Sequence, residues 1–388
     1  MTILTIDFET YYDRAFSLSK LTTEAYIRDE LFEVIGVSVQ IDDSSASSST
    51  WFSGTKKETR EFLEQFDWEN SLTVAHNAMF DMAILNWRFG IKPARIADTL
   101  SMARAIHGTQ VGGSLRALTE YYGIGKKGTE VLNALGKHRA DFSEEELEAY
   151  AGYCKNDTAI TYKLFKCLMA EGFPIAELKL IDLTLRMFTE PVLQVGTFLL
   201  ETHLEELKEK KAEWLGKAGV TREQIMSNPQ FAELLKAQGV IPPTKVSLTT
   251  GKETLAFAKT DEAFQALREH ENPIVQILVG ARLGVKSTIE ETRTERFIGI
   301  GNRGTLPIPL RYYAAHTGRW GGDDKINMQN LPRGSILKNA MLAPQGALFL
   351  DCDSSQIEAR TLAWLAEQDN LVDTFARGED VYKVMASS

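Results

Sequence analysis

The first 170 residues alternate between short apolar runs with strand character and longer segments in which apolar residues recur every three or four positions. A polar, serine-rich run, DDSSASSST, predicts a hairpin loop between the second and third strands. Strands that come first, with helices after them, predict a mixed sheet covered by helices. The predicted strands are MTILTIDFE, FEVIGVSVQI, TWFSG and SLTVAHN, and the predicted helices are KKETREFLEQF, FDMAILNWRF, DTLSMARAIH, SLRALTEYYG and SEEELEAYAGYCKNDTAITYKLFKCLMAEG.

The pattern changes in the second half of the chain. Two charged segments, LETHLEELKEKKAEWLGKAG and TREQIMSNPQFAELLKAQG, each show one apolar stripe, which predicts an extended helical arm. A loop rich in proline, glycine and threonine follows. Nearer the end, GALFLDCDSSQIEARTLAWLAEQ reads as a buried strand that passes into an amphipathic helix, with Asp351 and Asp353 on one face of that strand.

Composition places the chain among ordinary globular proteins. Its 388 residues, 44% apolar and 25% charged, are enough for two or three domains. The net charge of −10 argues against a generally basic coat for nucleic acid. However, residues 281–340 contain ten Lys or Arg against five Asp or Glu, a net charge of +5. This window is a candidate surface for a polyanion, and a solvated helix face is the alternative.

The three cysteines indicate a reducing compartment. Cys154, Cys167 and Cys352 are scattered, with no C-x-x-C pair and no disulfide-framework spacing. The sequence shows neither a signal-peptide pattern nor an apolar run of membrane-spanning length. We therefore expect a cytoplasmic protein with no membrane partner.

Four carboxylates and a phenol in the first 170 residues predict a divalent-cation site. Asp7 and Glu9 lie two residues apart in a predicted strand, so their side chains point the same way. Asp81 stands at the start of a predicted helix, and Tyr153 and Asp157 share one face of the last helix. Two Mg²⁺ or Mn²⁺ ions about 3.5–4 Å apart take oxygen ligands of this kind and hydrolyse phosphodiesters. Solvated surface carboxylates are the alternative.

The motifs DFE, HNAMFD and YCKND resemble, in order and in residue identity, those of 3′-to-5′ exonucleases with four acidic residues and a tyrosine. The resemblance covers about residues 1–170 and implies a ribonuclease H-like fold. By this resemblance Tyr153 positions the attacking water and Asn77 supports the 3′-terminal nucleotide. His76 has no second histidine at ligand spacing, so we expect a structural role for it. The metal ligands that the resemblance implies are Asp7, Glu9, Asp81 and Asp157.

Stretches of the second half resemble family A DNA polymerases, from about residue 185 to the end. ARLGVKSTIEETR is similar to the helix between thumb and palm that grips duplex DNA, TGRW…NMQNLP to the loop before the palm, and DSSQIEAR to the first palm motif. The resemblance implies that Asp353 binds both catalytic metals and that Glu358 selects deoxynucleotides. Ser354 departs from the pattern, since the family more often has tyrosine there. The residues implied in contacts with DNA are Lys286, Arg319, Gln329 and Asn330.

Together the two resemblances imply an α/β chain in three parts. Residues 1–175 form the exonuclease domain, a mixed sheet flanked by helices. Residues 180–298 form a mainly helical thumb, and residues 299–388 form an incomplete α+β palm. An N-terminal exonuclease with no preceding 5′-nuclease is similar to the phage type, which implies a phage-infected bacterial host.

Two parts of the polymerase pattern do not occur in this sequence. There is no Lys-x-x-x-Tyr-Gly fingers helix and no His-Asp-Glu palm segment. Nucleotidyl transfer needs a second carboxylate and a cationic clamp on the pyrophosphate, so we expect no polymerisation by this chain alone. A split gene or a truncation accounts for the pattern. In the split case we expect an apolar palm edge that binds a second polypeptide.

The sequence therefore predicts a proofreading exonuclease joined to a DNA-binding thumb and a partial palm, with two Mg²⁺ or Mn²⁺ ions as cofactors. The expected partners are a single-stranded DNA 3′ end, primer-template duplex, the second polypeptide and a processivity factor. One alternative is a stand-alone exonuclease acting on RNA or DNA, against which the palm motifs weigh. The other is a DNA-binding assembly module with a vestigial site, against which the complete acidic set weighs.

Overall fold

The computed structural model describes residues 2–42, 49–128, 134–247 and 249–387. These residues form two compact units, Met1–Leu342 and Ala343–Ser388. Among the residues described, no helix is long and apolar enough to cross a membrane.

A five-stranded mixed sheet organises the N-terminal part, in the order β3-β2-β1-β4-β5. The central strand β1 pairs antiparallel with β2 and parallel with β4. The four predicted strands are confirmed, while β5 was missed because its four residues, RIAD, contain too short an apolar run. The strands are β1 Ile3–Thr10, β2 Val34–Ile41, β3 Ser49–Phe52, β4 Leu72–Ala75 and β5 Arg95–Asp98. Most of the predicted serine-rich loop lies outside the described residues.

Seven helices among the described residues accompany the sheet, and the five that were predicted are confirmed. The longest, α6, begins with a capping box. Ser143 Oγ accepts from the Glu146 amide at 3.2 Å, and the Ser143 amide donates to Glu146 Oε2 at 3.0 Å. The helices are α1 Thr23–Arg28, α2 Lys56–Leu63, α3 Met79–Phe89, α4 Thr99–His107, α5 Leu115–Tyr122, α6 Glu144–Ala170 and α7 Ile175–Thr189.

Helix α6 packs across one face of the sheet and so carries its side chains to β1 and β2. Thr158 Oγ1 lies 3.0 Å from Ser38 Oγ of β2, and both residues are buried. Apolar residues of the sheet and of α3 and α6 form one core, which also includes Ile181, Leu185 and Phe188 of α7. Helix α7 therefore packs on the N-terminal core, beyond residue 175.

The rest of the first unit is mainly helical, with strands of two or three residues. The predicted arm is present as α8, whose only buried residue among those described is Leu200. Two further apolar clusters lie in this part, one around Phe231 and Phe264 and one around Phe297 and Leu306. Its helices are α8 Thr197–Ala218, α9 Arg222–Met226, α10 Asn228–Lys236, α11 Glu262–Ala266, α12 Pro273–Lys286, α13 Ile289–Arg303 and α14 Ile336–Asn339. Its strands are β6 Gln194–Val195, β7 Thr244–Val246, β8 Glu253–Leu255, β9 Leu310–Arg311, β10 Gly321–Gly322 and β11 Met341–Leu342.

Polar contacts tie helix α1 to the segment that follows α12. The buried Glu24 receives two hydrogen bonds from Arg303, at 2.6 and 3.0 Å. Asp324 accepts from the Thr23 amide at 2.5 Å, at the start of α1. Lys325 Nζ donates to the carbonyls of Leu18, Ser19 and Leu21 at 2.9 to 3.2 Å. We call this set of contacts the α1 clasp.

The clasp changes the interpretation of the +5 window. Several of its cations form internal contacts rather than a surface for a polyanion. Arg282 is fully buried, donates to the Ile225 carbonyl and lies over the rings of Phe231 and Phe257. Arg311 pairs with Asp323 at 3.0 Å, and Arg303 and Lys325 belong to the clasp. The other exposed cations of the window are Lys286, Arg319, Arg333 and Lys338.

The second unit contains three helices, α15 Ile357–Leu365, α16 Asp369–Ala376 and α17 Val381–Ala386. Its core is small, with Ala363, Phe375 and Val381 buried. The prediction of a buried strand before α15 is wrong, because residues 347–354 have no strand structure. Leu348, at 88% exposure, is nearly as open as in an unfolded chain. No described strand offers backbone hydrogen bonds to this segment, and an unpaired strand is not stable by itself.

Candidate active site

Strand β1 supplies two carboxylates to the candidate site. Asp7 and Glu9 alternate with the buried Phe8, so they lie on the same face of β1, toward α6. Glu9 Oε2 accepts from the Tyr150 hydroxyl at 2.8 Å, and Asp7 Oδ2 accepts from Cys154 Sγ at 3.3 Å. One ligand atom each of Asp7, Glu9 and Cys154 lies within 4.8 Å of the others.

Asp81 is the third residue of α3, and a backbone contact ties it to β1. Its Oδ1 accepts from the Phe8 amide, between Asp7 and Glu9, at 3.0 Å. The turn before α3 has Asn77 at a φ of 65°, a left-handed conformation that asparagine tolerates. Asp98, at the end of β5, holds this turn because its Oδ1 accepts from the Asn77 amide at 2.8 Å. The Asn77 side chain is exposed.

Asp157 and Tyr153 both lie on the inner face of α6 and are buried. Asp157 Oδ2 pairs with Lys127 Nζ at 2.6 Å, and the same ammonium lies 5.5 Å from the centre of the Tyr153 ring. Lys127 comes from the segment between α5 and α6, which is anchored where the Lys126 carbonyl accepts from Asn156 Nδ2 at 2.9 Å.

Burial and mutual repulsion shift the titration of the whole cluster. Burial, and next the charge of Asp157, raise the pKa of Asp7 to about 7. Burial and the charge of Asp7 raise the pKa values of Glu9 and Asp81 well above their usual range. Burial, with the charge of Asp157 next, also raises the pKa of Tyr153. The carboxylates are therefore close enough to repel one another, and the arrangement favours an added cation.

The donor set fits divalent cations that prefer oxygen ligands. Asp7 interacts electrostatically with each of the other three carboxylates, and among the described basic side chains Lys127 pairs with Asp157. Buried carboxylates are costly unless a cation compensates them, and divalent ions held by Asp and Glu oxygens do so. Asp7 and Glu9 have ligand atoms within 4.8 Å of each other, and Asp81 and Asp157 are the further carboxylates that could hold such ions.

His76 lies beside this cluster but has partners on both ring nitrogens. Nδ1 is 2.9 Å from Thr99 Oγ1, and Nε2 is 3.0 Å from the Gly113 carbonyl. Burial lowers the pKa of His76 to about 4. The geometry agrees with the structural role expected from the sequence.

Four residues in or beside the site were not anticipated from the sequence. Tyr150 and Cys154 precede Asp157 by seven and three residues, so the helical period of α6 places all of them on one face and could have revealed them. Lys127 lies in irregular structure, where no periodic signal exists. Asp98 was missed together with strand β5.

The residues expected in a polymerase site lie elsewhere and stay predictions. Lys286 ends α12 and is exposed. Arg319, Gln329 and Asn330 are exposed too, and Gln329 Nε2 donates to the Trp320 carbonyl at 3.2 Å. In the second unit Asp353 is exposed in irregular structure, and Glu358 is exposed in the first turn of α15.

Comparison with known protein families gives two matches that follow one another along the chain. Residues 21–172 match the 3′-5′ exonuclease family, and residues 197–388 match DNA polymerase family A. The chain is therefore similar to a 3′-5′ exonuclease along its first part and to family A DNA polymerases along its second part.

Individual relatives agree with this assignment. DNA polymerase I of Pseudomonas aeruginosa is 26% identical over 335 residues, which cover 81% of this chain and 36% of that protein. DNA polymerase I of Chloroflexus aurantiacus is 27% identical over 336 residues, covering 81% of this chain and 34% of that protein. The chain thus spans about a third of the length of these relatives.

A solved structure shows the same fold. It is the POL domain of Pol1 from M. smegmatis in complex with DNA primer-template and dNTP, 18% identical, with a TM-score of 0.61. The match covers 100% of this chain and 63% of that one.

Proposed function

We propose that the first unit is a 3′-to-5′ exonuclease that removes nucleotides from DNA 3′ ends with the help of two divalent cations, Mg²⁺ or Mn²⁺. The observation that carries the proposal is that the charge of Asp7 acts on Glu9, Asp81 and Asp157, and that all four carboxylates come from the expected motifs. When bound, such cations lower the pKa of an attacking water and stabilise the charge on the leaving oxygen.

The chain's own residues have separable tasks in this proposal. Asp7, Glu9, Asp81 and Asp157 hold the cations, and the tie between Asp81 and the Phe8 amide fixes two of the three elements relative to each other. The raised pKa of Tyr153 keeps its phenol protonated at neutral pH. The hydroxyl can therefore donate a hydrogen bond to water or accept one from it. Asn77, exposed beside the site, is available to the 3′-terminal nucleotide.

The test is the degradation of 3′-labelled single-stranded DNA and RNA by the purified chain, with Mg²⁺ and with Mn²⁺. We expect DNA to be shortened from the 3′ end and Asp7→Ala to lose at least about 10²-fold in rate, as removal of a group central to transition-state stabilisation does. Glu69→Gln, at an exposed carboxylate outside the three motifs, is the matched control. Equal cleavage by Asp7→Ala would refute the site, and a preference for RNA would favour the stand-alone alternative.

We further propose that the C-terminal part supports DNA-directed DNA synthesis once a second fragment supplies the fingers and the remaining palm. The match of residues 197–388 to family A polymerases supports this. So do seven exposed apolar side chains of the second unit, since an open palm edge would present such side chains to solvent. We call this set the palm patch, and its members are Leu348, Phe349, Leu350, Ile357, Leu362, Trp364 and Leu365.

Mixing experiments test this second proposal. Primer extension is expected from the chain together with a fragment that carries the fingers and remaining palm, and from neither alone. Asp353→Asn should abolish extension and leave exonuclease cleavage unchanged. A chain that stays monomeric in the presence of that fragment, with no extension, would contradict the proposal.

The proposed setting is the cytoplasm of a bacterium, including one infected by a phage, with a processivity factor as an additional partner. Two observations support a reducing compartment in bacteria. All three cysteines are free thiols, and the relatives described above come from bacteria. Fractionation of the native host, followed by detection of the chain with the soluble DNA-replication proteins, is the test.

A further inference from the structure

Cys154 introduces a sulfur donor into a site otherwise made of oxygens. Its side chain is fully buried, and Sγ points at Asp7, 3.3 Å from Oδ2 and 3.4 Å from the backbone carbonyl. The other two cysteines lie elsewhere in the sequence, Cys167 half-buried and Cys352 exposed. A simple packing role would need only a small apolar side chain at this position.

The donor atoms around Cys154 have the spacing of a metal site. Sγ and one oxygen each of Asp7 and Glu9 lie within 4.8 Å of one another. A tetrahedral zinc ion with bonds of about 2.0–2.3 Å places its ligands about 3.3–3.8 Å apart. Because the three donor atoms are at most 4.8 Å apart, side-chain shifts of about 1 Å are enough to bring them to that spacing. Tyr150 holds Glu9 by Oε2, which leaves the other oxygen for an ion.

Two classes of divalent cation differ in whether they would gain from the sulfur ligand at this position. Mg²⁺ takes oxygen ligands and gains nothing from sulfur, whereas Zn²⁺ and Cd²⁺ bind thiolate strongly. We propose that Cys154, Asp7 and Glu9 together form a binding site for thiophilic divalent cations of the Zn²⁺ class, which compete with Mg²⁺ for the two carboxylates. On binding, the sulfur–metal bond forms as the thiol proton leaves to solvent. The inference rests on the proposed metal site of the exonuclease.

In consequence, the kind of metal ion that occupies the site controls whether the proposed exonuclease cleaves DNA. A cation held by sulfur leaves more slowly than Mg²⁺ and occupies the carboxylates that cleavage requires. Zn²⁺ should therefore suppress cleavage supported by excess Mg²⁺, and Cys154→Ser should shift the inhibiting Zn²⁺ concentration upward by at least about tenfold, the effect of losing one ligand-shell interaction.

The direct test uses Cd²⁺ alone as a spectroscopic probe of the full chain. In a Cys167→Ser/Cys352→Ser background, Cys154 is the only thiol, so any ultraviolet cadmium–thiolate charge-transfer band reports on it. We expect one equivalent of Cd²⁺ to saturate the band. Adding Cys154→Ser should abolish the band, and adding Asp7→Asn or Glu9→Gln should weaken Cd²⁺ binding at least tenfold.

Failure of this inference differs from failure of the proposed exonuclease. A background protein that cleaves DNA with Mg²⁺ but shows no cadmium–thiolate band overturns the inference alone. A band that keeps its affinity after Asp7→Asn and Glu9→Gln overturns it as well, because the thiol would then bind without the carboxylates. A band without any cleavage supports the metal site and refutes the exonuclease. Circular dichroism of each variant shows that the fold is kept.

Discussion

Asp7 combines a cost to stability with a role in the proposed chemistry. Its pKa rises from 3.8 in a free aspartate to about 7, so the folded protein holds a proton that the unfolded chain releases. Folding therefore loses stability as pH rises from about 4 to 7, and the loss is complete above that range. A neutral residue of the same shape removes this cost.

We predict that Asp7→Asn stabilises the metal-free protein by about 2 kcal/mol at pH 8 and by less at pH 5, while exonuclease cleavage is lost. Urea unfolding in the presence of a chelator at both pH values measures the change. Glu69→Gln, at an exposed position, should alter stability by no more than about 0.5 kcal/mol. A variant as unstable as the parent at pH 8 would contradict the prediction.

The contribution of His76 to folding stability has the opposite pH dependence to that of Asp7. Because burial lowers its pKa to about 4, the unfolded chain binds a proton that the folded protein excludes, and stability falls as pH drops from 6.5 toward 4. We predict that His76 lowers the free energy of unfolding of the parent by about 2–3 kcal/mol between pH 7 and pH 4. His76→Gln should not show this contribution to the pH dependence. Urea unfolding at both pH values measures it. The exposed His316→Gln serves as control and should follow the parent.

The residue scale also shows what sequence patterns can reveal. The positions of the four carboxylates and Tyr153 could be predicted because each lies in a strand or helix whose period orients its side chain. Tyr150 was available to the same argument. Lys127 was not, because its contact with Asp157 spans 30 residues and depends on how an irregular segment packs on α6.

At the scale of elements, helices α8 and α12 meet through a tryptophan and two glycines. The Trp214 ring lies over Gly280 and Gly284, one helical turn apart on α12. A Cβ added at Gly280 would be 3.0 Å from the ring, while one at Gly284 would be 3.7 Å away, an ordinary van der Waals contact. The two positions therefore differ in the space they offer.

We predict opposite effects of substitution at these glycines. Gly284→Ala should stabilise the protein by about 0.5–1 kcal/mol, since alanine favours helix and fits. Gly280→Val should destabilise it by about 1–3 kcal/mol, because the added methyl groups overlap the ring. Thermal unfolding of both variants provides the comparison. Destabilisation of equal size at both positions would show that the spacing between α8 and α12 is not set at Gly280.

Two segments, β5 and residues 348–350, show why strands are difficult to predict from local sequence. Strand β5 has too short an apolar run to be recognised alone, and it forms because its backbone pairs with β4, a partner that no local pattern reveals. The apolar run 348–350 was taken for a buried strand, since apolar runs normally need burial. Whether such a run becomes a strand depends on neighbours that pair with it, and the described residues contain none.

At the scale of the whole molecule, the two units differ in how much core they possess. Three apolar clusters lie within residues 1–342, while three buried apolar residues form the core of the second unit. The palm patch leaves a large apolar surface in water, which promotes association.

We predict that a fragment of residues 1–342 folds, retains the exonuclease activity of the full chain within about twofold, and self-associates less. Its cores are complete, and the proposed site lies entirely within it. Cleavage of 3′-labelled DNA and sedimentation at several concentrations test these points. Full-chain variants with Leu348→Ser and Leu350→Ser should also associate less. A fragment that unfolds would show that the second unit supports the first.

The α1 clasp bears on how a variant without proofreading should be made. Removing the N-terminal third would strip Arg303, Asp324 and Lys325 of the partners they hold in and before α1, leaving charged groups and an apolar surface newly open to water. A truncation at that boundary therefore removes contacts that stabilise the remaining part as well. Replacing one acidic side chain on β1 is expected to abolish the proposed exonuclease activity and to leave these contacts in place.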